Sequence, residues 1–192
     1  MSNSMGDKVL KAFQLAERVH IDQKRKSGEP YITHPVAVAK MLFDNGADRD
    51  TICAALLHDS LEDSGEKYPW LEGHILREFG DHVLYMVQAL SKDNAITDKL
   101  AQQSKYLEQI EQAFEVDINI FFIKIADQLH NISTISALAS ERKERWITEL
   151  KHEYLPLFSE YYHRVPLPYR NLHQQMMQDI QNLIESHEES SK

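Results

Sequence analysis

The chain of 192 residues has one cysteine, six glycines and six prolines, and each scarcity removes a class of protein. A lone Cys53 forms no internal disulfide, and its place in the apolar run 52–57 reads as a small buried residue with no chemical role. So few turn residues argue against a many-stranded fold, which needs them at each chain reversal. Basic charge is also short: 21 lysines and arginines against 30 acids leave a formal charge of −9. Neither nucleic acid nor an anionic membrane is then attracted over long range. The longest apolar stretch, residues 118–126, is far too short to cross a bilayer and is interrupted by Asn119 and Lys124. The first five residues lack the charged-then-apolar layout of a signal peptide, so a cytoplasmic protein is expected, with neither nucleic acid nor membrane as partner.

What is present is an ordinary globular composition, 42% hydrophobic and 27% charged, enough for one well-buried core. A single domain over residues 5–187 is expected, with 188–192 as a frayed polar tail. Helical spacing of apolar residues runs from Val9 until Gly28 and Pro30 interrupt it. Thr33 then reads as an N-cap, with His34 and Pro35 in the first turn of a helix ending at Asn45-Gly46. A third helix is expected from Asp50-Thr51 continuously to Ser64-Gly65. Further helices are expected at 70–79, 82–90, 97–114, 117–138, 143–162 and 167–186, giving an all-α bundle. Residues 120–126 have the composition of a buried strand, but the spacing continues through Leu129, Ile132 and Ile135, which favours helix.

Potential ligands of a cation are scattered through this pattern: His34, then His58-Asp59, then Asp127. Any one of them alone reads as a member of a buried hydrogen-bonded network. Together, two imidazoles and two carboxylates make a mixed nitrogen and oxygen set suited to a divalent ion such as Mn²⁺, Fe²⁺ or Zn²⁺. Several charges at the end of an apolar helix are costly unless a cation compensates them. Four ligands leave positions open for water and a substrate oxygen, as a catalytic site requires. Glu62 and Asp63, one turn beyond His58-Asp59, are candidates to orient that water and carry its proton, the alternative for each, and more so for Asp63, being a partner that holds a histidine ring. On the expected helix around Asp127, Asn131 and Thr134 share its face.

Three segments carry a resemblance. They are His20-Ile21-Asp22-Gln23-Lys24-Arg25-Lys26-Ser27-Gly28-Glu29-Pro30-Tyr31-Ile32-Thr33-His34-Pro35, His58-Asp59-Ser60-Leu61-Glu62-Asp63, and Lys124-Ile125-Ala126-Asp127-Gln128-Leu129-His130-Asn131. Over about residues 12–135 the chain resembles the hydrolase domain of the RelA/SpoT family, within the HD superfamily of metal-dependent phosphohydrolases. The resemblance implies a helical HD-domain bundle with its metal site in a central cleft, and removal of the 3′-pyrophosphate of (p)ppGpp with Mn²⁺ as the usual ion. It implies His34, His58, Asp59 and Asp127 as metal ligands and Glu62 and Asp63 as catalytic acids. Arg25, Lys26 and Ser27 fall where the family borders the guanine, and Asn131 and Thr134 where it hydrogen-bonds the nucleotide. Without that setting, residues 24–26 read as a solvated basic run.

The chain departs from the family at Gln128 and Ser133, where basic residues are common. A less basic pocket suits a less charged phosphate such as the 2′-phosphate of NADPH, which stand-alone relatives also hydrolyse. Lys124, or the run Arg142, Lys143 and Arg145, would compensate the missing charge. The bifunctional members carry a synthetase domain after the hydrolase; here the region after Ser140 is expected to complete the bundle, as in the stand-alone small alarmone hydrolases. The third alternative, a non-catalytic nucleotide-binding module, draws nothing from the ligand set.

Overall fold

Helix α8 (Ile118–Ser133) is the axis of the molecule: every residue from 120 to 128 is buried, Lys124, Asp127 and Gln128 included. The computed structural model describes residues 4–189, and among these there is no strand. Asp117 starts α8 by accepting at its carboxylate from the Asn119 amide, 2.9 Å away, so the β-like segment is held as helix from its first turn. Helices α2 (Thr33–Asp44), α3 (Arg49–Leu57), α6 (Asp81–Leu90), α7 (Lys99–Val116) and α11 (Arg170–Glu189) all pack against it. Each fully buried large side chain, Phe121, Ile123 and Ile125 among them, contributes about 1.5–3 kcal/mol of transfer free energy. Around Phe121 the rings of Phe114, Phe158 and His173 lie 5.3–5.6 Å away, the first two edge to face.

Helix α1 (Ser4–Val19) lies on α3, and after it residues 20–32 form a loop closed by an isolated bridge between Lys24 and Pro30. Arg25 N–H donates to Glu29 O at 2.8 Å, and Gly28 turns the chain at φ 92°, a conformation that strains a side chain. That turn presents Arg25, Lys26 and Ser27 as a unit.

Several boundaries differ from the expected ones. Thr33 is the first residue of α2 rather than its cap, and its hydroxyl donates to Pro30 O at 2.8 Å. Helix α3 is capped by Asp48, whose Oδ1 accepts from the amides of Asp50 and Thr51. The continuous helix expected to Ser64 is broken: α3 ends at Leu57, and a separate α4 (Ser60–Ser64) follows. The cause is local, because His58 Nδ1 donates to Ala55 O at 2.8 Å and takes the carbonyl that the Asp59 amide would use in a continued helix.

Helix α5 (Leu71–Phe79) leads to α6, and α8 yields to a 3₁₀ turn at Ile135–Ala137 short of the expected residue 138. The single helix expected at 143–162 divides into α9 (Ser140–Glu149), a π-helical turn Leu150–Tyr154, and α10 (Leu155–Glu160). Pro156 in the first turn of α10 has no amide to continue the regular ladder. Helix α11 runs to Glu189, with Glu188 accepting from Lys151 Nζ at 2.8 Å, so 188–189 are ordered helix rather than frayed tail. Residues 190–192 of the expected tail lie outside the described residues. Cys53 is fully buried, and burial pushes its thiol up to about 11, as an inert residue requires.

Candidate metal centre and adjoining cleft

His34 comes from the first turn of α2, His58 and Asp59 from the break between α3 and α4, and Asp127 from the middle of α8. His58 and Asp59 keep right-handed helical backbone angles across this junction, φ −57°, ψ −35° and φ −92°, ψ −6°. His58 Nε2 and Asp59 Oδ2 lie 3.2 Å apart. His34 Nε2 lies 3.6 Å from the same Asp59 oxygen and 3.1 Å from Asp127 Oδ1, which is 3.8 Å from His58 Nε2. Atoms bound at ~2.1 Å from one ion, about 90–110° apart, stand ~3.0–3.4 Å from each other, close to this set. His34, His58 and Asp59 form a group able to hold a metal ion, and Asp127 adjoins it.

His58 Nε2 is the telling atom. It is buried and, although near both carboxylates, is aligned with neither as a hydrogen bond. With Nδ1 committed to Ala55 O, its lone pair faces the carboxylates, where a cation is the natural partner. The site therefore fits a divalent ion.

Electrostatics agree. Positive charge is favoured at that nitrogen, be it a proton or an ion: burial opposes the charge of His58, but Asp59 and Asp127 outweigh it and raise its pKa well above the ordinary value. Burial likewise works against both aspartates, yet His58 and His34 hold Asp59 well below the ordinary value, and Lys124 with the two histidines does the same for Asp127. Both acids are thus carboxylates, able to ligate a cation.

Asp127 is aimed by its neighbours. Its Oδ2 accepts from Lys124 Nζ at 2.9 Å and Gln128 Nε2 at 3.3 Å, while Oδ1 accepts from Asn131 Nδ2 at 2.7 Å and faces the histidines. Lys124 is buried between the rings of Tyr106 and Tyr154, each 5.1 Å from its ammonium. His34 is braced by His130, the two Nδ1 atoms 2.8 Å apart. Burial first, then His34 and Arg25, lower His130 to about 4, so its ring is neutral and able to accept from His34. Tyr31 O–H donates to Asp59 Oδ2 at 2.7 Å.

Of the two acids beyond the break, Glu62 faces the cleft and its carboxylate accepts from the Lys92 amide at 2.8 Å, fastening the 91–94 loop over the site. Asp63 is raised to about 6 by burial and then by the Asp59 charge, although an open face tempers the burial.

Two cavities of about 260 Å³ each meet at this point. One surrounds the ligand cluster and extends past Lys92, Lys124, Tyr106 and Tyr154. The other has Arg25, Lys26 and Ser27 on one side and Ile135, Leu138 and Trp146 on the other. Arg25, Tyr31, Asn131 and Trp146 line both.

Asn131 and Thr134 lie where expected but are occupied within the protein: Arg25 donates to Asn131 Oδ1 at 2.9 Å and to Thr134 Oγ1 at 3.1 Å. Both side chains hold the guanidinium in place. Gln128 is buried beside Asp127 and adds no charge, while Ser133 donates to His130 O. Lys124 does stand in the cleft, paired with Asp127; Arg142 and Arg145 are exposed on α9.

Sequence reasoning assigned nothing to Tyr31, Lys92, Tyr106, Trp146, Tyr154 or His130. His130 and Tyr31 sit inside the quoted motifs and were within reach; the others come from distant segments with no local signal.

Fold and site together define a class: an all-helical bundle whose central histidine and aspartate residues form a site for a divalent ion. The family model described as "HD domain" matches residues 12–160, and the chain belongs to that family. It is 40% identical over 149 residues to a "GTP pyrophosphokinase" of Streptomyces antibioticus, covering 78% of this chain and 17% of that protein. It is 36% identical over 151 residues to the "Guanosine-3′,5′-bis(diphosphate) 3′-pyrophosphohydrolase" of Aquifex aeolicus, covering 79% and 21%. The chain thus spans about a fifth of the length of these curated relatives. A solved structure described as "A metazoan ortholog of SpoT hydrolyzes ppGpp and plays a role in starvation responses" shares the fold, with TM-score 0.74 and 20% identity over 94% of this chain and 95% of that one. The resemblance read from the motifs is borne out. Among the described residues no helix is long and apolar enough to cross a membrane.

Proposed function

We propose that the protein hydrolyses (p)ppGpp at the 3′-pyrophosphate, giving GDP or GTP and pyrophosphate, with Mn²⁺ as its ion. The observation that carries this reading is the meeting of two imidazoles and two carboxylates from three separate segments beside a cavity bordered by Arg25. Names borne by the relatives support the substrate. His34, His58, Asp59 and Asp127 would hold the ion, which supplies Lewis-acid charge and lowers the pKa of water.

The chain's own groups do the rest. Glu62 and Asp63 orient the attacking water and carry its proton. The water oxygen bonds to the phosphorus nearest the ribose as the bond to the 3′-oxygen breaks, and that oxygen regains a proton. Arg25, pinned by Asn131 and Thr134, faces the base with Lys26 and Ser27 at the rim, and Lys92 and Lys124 bring positive charge to the phosphate arm. Purified protein given Mn²⁺ and ppGpp is expected to release pyrophosphate, and Asp59→Ala to slow release by ~1,000-fold or more. Metal-loaded wild type without turnover would overturn the reading.

A second reading keeps the site and changes the substrate to a less charged phosphate such as the 2′-phosphate of NADPH. The neutral Gln128 beside Asp127 favours it. Comparison of kcat/KM for the two substrates decides between them.

A further inference from the structure

Helix α9 is strongly charged, and Trp146 is the large aromatic on it. Neighbouring Ile147 and Leu150 turn into the core. Trp146 is only half-buried, and with Glu149 one turn on it faces the cleft. It lines both cavities, the apolar one beside Arg25 and the polar one around the metal ligands. A large aromatic left partly open at the junction of two cavities has forgone part of its own burial, which is the behaviour of a ligand-contacting ring.

The opposite wall is rigid. Arg25 is fixed by Asn131 and Thr134, and its guanidinium lies over the Tyr31 ring at 5.8 Å. Ile135 and Leu138, which line the same cavity as Trp146, are apolar and offer no side-chain hydrogen bond. Such a slot takes a flat, weakly hydrated ring, and its open end leads to the cation site where a phosphate would lie.

We propose that Trp146 is the second wall of a nucleobase slot: the base of the substrate stacks on its indole, opposite Arg25, and this contact sets the affinity for the nucleotide without entering the chemistry. The inference rests on the nucleotide reading above and adds to it a residue from outside the motif-bearing segments.

The test uses the full chain with Trp70→Phe, which leaves Trp146 as the sole tryptophan; Trp70 stands apart just before α5, under Arg18. Titration with ppGpp without divalent ion is expected to change Trp146 fluorescence saturably, and inorganic pyrophosphate, which has no base, to leave it unchanged. With Mn²⁺, Trp146→Ala is expected to raise KM ~10-fold or more with kcat within about twofold, and Trp146→Phe to restore most of the affinity. Hydrolysis with neither a fluorescence response nor a KM effect overturns this inference and leaves the proposed activity standing. Saturable quenching by ppGpp without turnover does the reverse. An equal response to pyrophosphate also overturns it, since the signal then reports phosphate and not base. Should Trp146→Ala fail to fold, the fluorescence titration alone decides.

Discussion

His130 shows how a single residue acts on this site at one remove. It touches no expected ligand atom; its Nδ1 meets the Nδ1 of His34, and its ring, lowered to about 4, stays neutral across the physiological range. That contact fixes which nitrogen of His34 carries the proton and leaves Nε2 to face Asp127 and Asp59. Replacing it with phenylalanine keeps the ring and removes the acceptor. Calorimetric titration of His130→Phe with Mn²⁺ is expected to show affinity lowered about 10–100-fold, and an unchanged value would mean that His34 needs no such brace. Residue types were legible in the chain: two histidines and two aspartates at 34, 58, 59 and 127, taken together, point to cation chemistry by their donor atoms. What Asn131 and Thr134 do was not legible, because their partner Arg25 is more than a hundred residues away.

Helices were readable from apolar spacing, and α8 in particular, since its pattern persists beyond the β-branched run that by composition suits a strand. Their ends were harder, because a terminus depends on which side chain wins a particular amide or carbonyl. Asp48, not Asp50, starts α3, since its Oδ1 reaches two amides at 2.8 and 2.9 Å. Asp48→Ala is expected to cost about 1 kcal/mol, seen as a lower denaturant midpoint at unchanged slope, with activity intact at low temperature. At the other end of α3 the His58 ring captures the Ala55 carbonyl, the regular helix stops at Leu57, and the side chains of His58 and Asp59 meet at 3.2 Å.

At the scale of the whole molecule the site is a clasp between α2, the α3–α4 junction and the buried α8, so binding an ion there is coupled to folding. An ion that binds the native arrangement and not the unfolded chain, present at about 100 times its dissociation constant, adds about 2.7 kcal/mol. For a chain of this size that is a rise in Tm of about 5–10 °C. Thermal melts with and without Mn²⁺ are expected to show it, a chelator to reverse it, and Asp59→Ala to abolish it; equal melting of the wild type in both conditions would contradict a site shared by these elements.

The amino-acid sequence alone determined the helical class, the donor atoms and the three segments that carry them, because periodicity and ligand chemistry are properties of neighbours along the chain. Only the tertiary structure decided that α3 stops at Leu57, that Asn131 and Thr134 hold Arg25, and that Trp146 and Lys92 reach the cleft. Those outcomes depend on distances between residues far apart in sequence, and such distances exist only once the helices have packed around α8.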